Sequence, residues 1–149
     1  MTKSNTDVLQ ELVQIARDSK TFYESASKEV DDPNLRLDFQ RMAEIKGELI
    51  TQLSSQISAR GDVPEASGTF AGTLRKGYGE LLAHMRGKKG AAKTYTAQLE
   101  ETEDRLLKHF KTALAEVQSP EVRGVLTAQL PRLQQCHDAM HRLKQQLAA

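Results

Sequence analysis

Residues 29–39 read EVDDPNLRLDF, and they place a sharp stop and a fresh start within a few positions. Upstream, Leu9, Leu12, Ala16, Ser19, Tyr23, Ala26 and Val30 recur at alternating spacings of three and four, the mark of one helical face. Downstream, Leu35, Phe39, Met42, Lys46, Leu49, Leu53 and Ile57 do the same. Between them Asp32 is placed to cap the second helix, and Pro33 fits its first turn, where no amide hydrogen is needed. Two helices over about 5–31 and 33–60 joined by so short a link must fold back as an antiparallel hairpin.

Working outward, Arg60-Gly61 closes the second helix, glycine being able to take the left-handed conformation at a C-cap. GDVPEASGT (61–69) is a loop ending in Thr69 as an N-cap, and a shorter helix over about 70–86 carries Phe70, Leu74, Tyr78, Leu81, Leu82 and Met85. RGKKG (86–90) breaks it. A third long helix, about 91–118, aligns Leu99, Glu103, Leu106, Phe110, Ala113 and Val117. Ser119-Pro120 then repeats the cap-and-proline start, and the last helix, about 120–147, aligns Leu126, Leu130, Leu133, His137, Met140, Lys144 and Leu147. Pro131 inside it removes the bond to the Thr127 carbonyl, which predicts a kink.

The pattern predicts an all-α fold, a single ferritin-like domain over residues 1–149. Its four-helix bundle has two short hairpins and a long crossover containing the extra short helix. With that crossover the second and third helices run parallel. An irregular five-helix bundle is the alternative.

Bulk properties agree. The chain has 149 residues, 38% hydrophobic and 28% charged, with no Trp and a net charge of +1. A charge so near zero gives no argument for a nucleic-acid or membrane partner. No run of 18 apolar residues and no signal-peptide pattern occurs, and the single cysteine, Cys136, fits a reducing cytoplasm.

Each stripe breaks its apolar pattern near the middle of its helix, at Ser19, Lys46, Glu103 and His137. A buried charge is costly unless paired, so these four predict a polar layer that pairs its own ions, binds a metal or admits water. Carboxylate-bridged di-iron bundles use one Glu from each of two helices and Glu-x-x-His from each of the others. Here Glu103, preceded by Glu100, offers one carboxylate and Glu44 another, with Gly47 where that helix would need a histidine. Gln134-x-x-His137 supplies the histidine without the glutamate, and Glu24 lies about a turn from its helix midpoint. Glu44, Glu103 and His137 are therefore the candidate metal ligands, for iron or another divalent ion. The bland reading is a structural layer in which Lys46 pairs with Glu103 and no cofactor is held. The stretch QQCHDAMH (134–141) reads mostly as a helix face: His137 and His141 can share a metal only with a third ligand, and Cys136 is a small buried hydrophobe.

The landmarks DVLQELVQIARDS (7–19), EVDDPNLRLDF, RGDVPEASGTFAGTLRKGY (60–78), Glu103-Asp104, SPEVRGVLTAQL (119–130) and CHDAMHRLK (136–144) resemble, in this order, a bacterial family of ferritin-like four-helix proteins of uncharacterised function. The resemblance covers nearly the whole chain. It implies the ferritin fold, no established activity, and a stress- or storage-related setting. Lys20 and Thr21 stand where the first helix of relatives would carry acidic residues. The expected protein is a non-enzymatic cytoplasmic bundle that forms homo-oligomers. The alternatives are an iron-dependent oxidase or peroxidase, or a histidine phosphotransfer module using His84 in AHMRGKKG (83–90). Six basic residues between 69 and 93, facing only Glu80, read as a solvated turn rather than a polyanion site.

Overall fold

A computed structural model describes residues 4–64 and 91–148. Among them are four helices and no strand: α1 (Asn5–Glu29), α2 (Pro33–Ala59), α3 (Ala91–Glu116) and α4 (Pro120–Ala148). The predicted short helix, its Thr69 cap and His84 lie outside the described residues. At 25 to 29 residues each helix is roughly 40 Å long.

The start signals operate as the residue types require. Ser4 Oγ accepts from the Asp7 amide at 3.0 Å, Asp32 Oδ1 from the Asn34 amide at 2.8 Å, and Ser119 Oγ from the Val122 amide at 3.3 Å. Each satisfies an amide that has no partner in the first helical turn. At the end of α2, Gly61 adopts φ 82° while the amides of Arg60, Gly61 and Asp62 bond back to Ile57 and Ser58 carbonyls. Helix α4 continues through Pro131. The residues at 127 and 131 are both exposed, so water can serve the carbonyl that proline leaves without its bond.

The two hairpins share a device that periodicity does not reveal. Val30-x-Asp32-Pro33-x-Leu35-Arg36 and Val117-x-Ser119-Pro120-x-Val122-Arg123 are the same motif used twice. In the first, Arg36 Nη2 donates to the Val30 carbonyl at 2.9 Å; in the second, Arg123 Nη2 donates to the Val117 carbonyl at 2.8 Å. Each arginine therefore ties the second helix of a hairpin to the C-cap of the first.

Helix directions follow from contacts at one end. Asn5 Oδ1 accepts from the Gln118 amide at 3.1 Å, and Arg60 Nη2 donates to Ser119 Oγ at 2.9 Å. The start of α1, the end of α2 and the α3–α4 turn thus lie together. Helices α2 and α3 run parallel, as expected, with the end of α2 and the start of α3 at opposite ends of the bundle. Packing is most extensive within the pairs α1–α2 and α3–α4, then between α1 and α3, while α2 and α4 touch little.

All the predicted inward positions of the first three stripes are buried. The core is divided in two. One cluster gathers Leu9, Leu12, Leu53, Ile57, Leu106, Phe110 and Leu126; the other gathers Phe22, Tyr23, Phe39, Tyr95, Leu99, Cys136 and Met140. The polar layer lies at the junction, between Ala16 and Phe22 on α1, between Ala43 and Leu49 on α2, and between Leu99 and Leu106 on α3.

Candidate functional site

Helices α1, α2 and α3 bring the layer residues Ser19, Lys46 and Glu103 into the interior, where they are 0%, 0% and 1% exposed. Lys46 Nζ stands 2.7 Å from Glu103 Oε1. The Tyr23 hydroxyl, one turn along α1 from Ser19, donates to the same oxygen at 2.6 Å. The Lys46 ammonium also lies 5.8 Å from the centroid of the Tyr23 ring, within reach of its electron-rich face. An ammonium, a carboxylate and a phenol thus form one buried unit contributed by three helices. Glu103 Oε2, Ser19 Oγ and Lys46 Nζ have no aligned hydrogen bond among the described residues, so the unit rests on charge more than on a complete network.

The fourth helix departs from expectation. Its buried residues are Val122, Leu126, Leu133, Cys136 and Met140, whereas Leu130 and His137 are half-buried and Lys144 and Leu147 are exposed. The sequences 133-136-140 and 133-137-140 both satisfy a spacing of three and four, so periodicity alone could not choose between Cys136 and His137. The helix is rotated slightly from the predicted stripe. Cys136 faces the layer, as the small buried hydrophobe it was read to be, and His137 reaches the seam with α3.

The three candidate ligands do not converge. Glu44 is exposed on α2, Glu103 is committed to Lys46 and Tyr23, and His137 turns to Asp104. Among the described residues no group of three His, Cys, Asp or Glu side chains is disposed to hold a metal as it stands. Glu24 faces solvent and pairs with Lys20 at 3.4 Å. Gly47, where a Glu-x-x-His motif needs its histidine, lies under Lys20: a Cβ there would come within 3.3 Å of Lys20 Cε.

At the seam, His137 Nε2 is 2.5 Å from Asp104 Oδ1, and His137 Nδ1 is 3.2 Å from Asp138 Oδ1. Partial burial pulls the imidazole pKa down, but the hydrogen bonds and charges of Asp138 and Asp104 outweigh that and leave it raised. Gln134 Nε2 donates to Asp138 Oδ1 at 3.0 Å, and that bond, followed by the one to His137, holds the Asp138 carboxyl below its usual range. Asp104, Asp138 and the Tyr23 hydroxyl were missed in the sequence. Tyr23 read as an apolar stripe residue, and partners across helices carry no mark along one chain.

Burial pushes the Cys136 thiol up, against the lowering influence of the nearby Lys46 charge. A thiol 3% exposed and poor in thiolate is a weak nucleophile. The folded protein should therefore react with iodoacetamide far more slowly than the same chain in denaturant, as mass spectrometry of the alkylated peptide would show. Equal rates would contradict the buried, protonated thiol.

No described helix is long and apolar enough to cross a membrane. Comparison with known families matches residues 4–116 to a domain of unknown function, DUF2383. No curated protein and no solved structure matches the chain.

Proposed function

We propose that this chain, which belongs to the DUF2383 family, is a non-enzymatic bundle of ferritin-like topology whose central charge is supplied by the protein itself. The observation that carries this reading is Lys46 Nζ at 2.7 Å from Glu103 Oε1, with both side chains out of contact with solvent. In a di-iron bundle the central carboxylates neutralise metal cations. Here an ammonium sits against the carboxylate, and a metal ion beside it would be repelled. With Glu44 exposed and His137 turned to the seam, the residues do not fit a di-iron centre.

In this reading the central layer is architectural, and any physiological role belongs to the outer surface, through a protein partner or further copies of the chain. The buried free thiol of Cys136 suits a reducing cytoplasm. A stress- or storage-related setting follows from the family resemblance alone.

Anaerobic addition of Fe(II) followed by exposure to oxygen tests the reading. The expected result is oxygen uptake no faster than in protein-free buffer and unchanged by Glu103→Gln. Uptake in proportion to iron that disappears in Glu103→Gln would establish the oxidase instead.

A further inference from the structure

We propose that the groove between the N-terminal half of α2 and the C-terminal end of α4 binds a small aliphatic carboxylate, its head held by Arg41 and Arg142 and its tail laid on Met42 and Leu143. Helices α2 and α4 are antiparallel and touch little. Arg132 Nη1, 2.5 Å from Glu48 Oε2, ties them together near the middle of the bundle. About two helical turns beyond that bridge, toward the α1–α2 turn, the seam opens. The resulting groove of about 260 Å³ is lined on α2 by Asp38, Arg41 and Met42 and on α4 by Ala139, Arg142 and Leu143.

The floor of the groove is apolar. Met42 is 8% exposed and belongs to the core cluster around Phe39 and Tyr95, and Ala139 and Leu143 are half-buried against the same cluster. An aliphatic group laid there extends that compartment outward and removes more apolar surface from water. The charges of the lining are left over. Along the α3–α4 seam the charges answer one another: His137 Nε2 meets Asp104, while His141 Nδ1 and Lys144 Nζ stand 3.5 and 3.8 Å from the Glu100 carboxylate. By contrast, Asp38, Arg41 and Arg142 make no ion pair or hydrogen bond among the described residues. Arg142 helps to hold the Asp138 carboxyl low, but Asp138 Oδ1 is already bonded by Gln134 and His137.

Two guanidiniums and one carboxylate leave the groove with one positive charge in excess. That excess matches a single carboxylate, whose two oxygens suit the planar fork of an arginine. A nucleotide or other polyanion would bring more negative charge than the groove offsets and would meet Asp38. The lining also holds no aromatic ring on which a base could stack. Size sets the tail. Sites for drug-sized ligands run to about 300–1,000 Å³, so this smaller groove takes a short chain rather than a cofactor or a partner helix. The site lies apart from Lys46 and Glu103 and does not depend on the reading of the central layer.

Calorimetric titration of the full chain with sodium octanoate tests the site, with acetate and octanol as the head and the tail alone. Octanoate should bind at one equivalent, and acetate and octanol far more weakly. Arg41→Ala and Arg142→Ala, both at exposed positions, should each weaken octanoate about 10- to 100-fold, the worth of a hydrogen bond to a charged group. Lys108→Ala, the same change of charge at an exposed position on α3, should have no effect. Asp38→Asn should tighten binding by removing a like charge, the opposite of what a loosened fold would do. No saturable binding of octanoate, octanol bound as well as octanoate, or binding retained when both arginines are replaced would overturn the site. Sedimentation velocity covers the other occupant: a dimer that dissociates when both arginines are replaced would give the groove to a second copy of the chain and overturn the carboxylate.

Discussion

Replacing Lys46 by methionine should destabilise the protein by about 3–5 kcal/mol, the range for breaking a buried ion pair. For a domain of this size that lowers Tm by roughly 6–20 °C. The reason is what remains. Glu103 is 1% exposed and would be left buried with only the Tyr23 hydroxyl to support it. Glu103→Leu should be comparably damaging, since it strands the Lys46 ammonium and deprives Tyr23 of its acceptor. The combination Lys46→Met, Glu103→Leu, Tyr23→Phe removes all three polar groups together. It should recover most of the loss or exceed the parent, because well-packed apolar side chains often replace a buried pair at no net cost. Urea unfolding of the two single variants and the triple variant checks this. A triple variant as unstable as the sum of the parts would mean that the layer contributes stability of its own.

The second large effect lies in the apolar compartment near the α3–α4 turn. Phe110 is fully buried between Leu106 and Ala113 of its own helix and the inward residues of α1, α2 and α4. Phe110→Ala removes most of a large side chain from a region that can collapse only partly, so the expected loss is about 3–5 kcal/mol. Leu37, 63% exposed on α2, is the internal control: Leu37→Ala should change stability by no more than about 0.5 kcal/mol. The midpoint of urea unfolding separates the two, and equal effects would contradict the assignment of the core.

Much of the fold was legible because its signals are local. Asp32-Pro33 and Ser119-Pro120 announce helix starts through the chemistry of single residues, and the stripes of α1, α2 and α3 are long enough to leave one inward face. The pairing of Lys46 with Glu103 was also foreseeable, since two opposite charges on inward faces at one level have few other ways to be buried. The limits were equally physical. On α4 the spacing allowed either Cys136 or His137 to face inward, and the choice depends on how that helix packs against α3. Glu44 read as a ligand as the glutamate of a Glu-x-x-His frame ending at Gly47, yet it stands two residues from inward-facing Lys46, a step that turns its side chain well away from the core. The seam contacts of His137 with Asp104 and of His141 with Glu100 join residues more than thirty positions apart. Each is an ordinary charged residue on its own helix, and only antiparallel packing makes them neighbours.

The division of the core by a charged layer has one further consequence, for helix sliding. The inward faces of α1, α2 and α3 are built mostly from Leu, Ile, Val, Phe, Tyr, Met and Ala at regular spacing, on both sides of the layer. Shifting one helix by a turn, 5.4 Å, would set apolar side chains against apolar side chains again and sacrifice little burial. It would also carry Lys46 past Glu103 into hydrocarbon and leave both charges without a counter-ion. The buried pair therefore works as an index mark along the bundle axis. The apolar stripes attract the helices to one another at several offsets, and the Lys46–Glu103 contact penalises every offset but one.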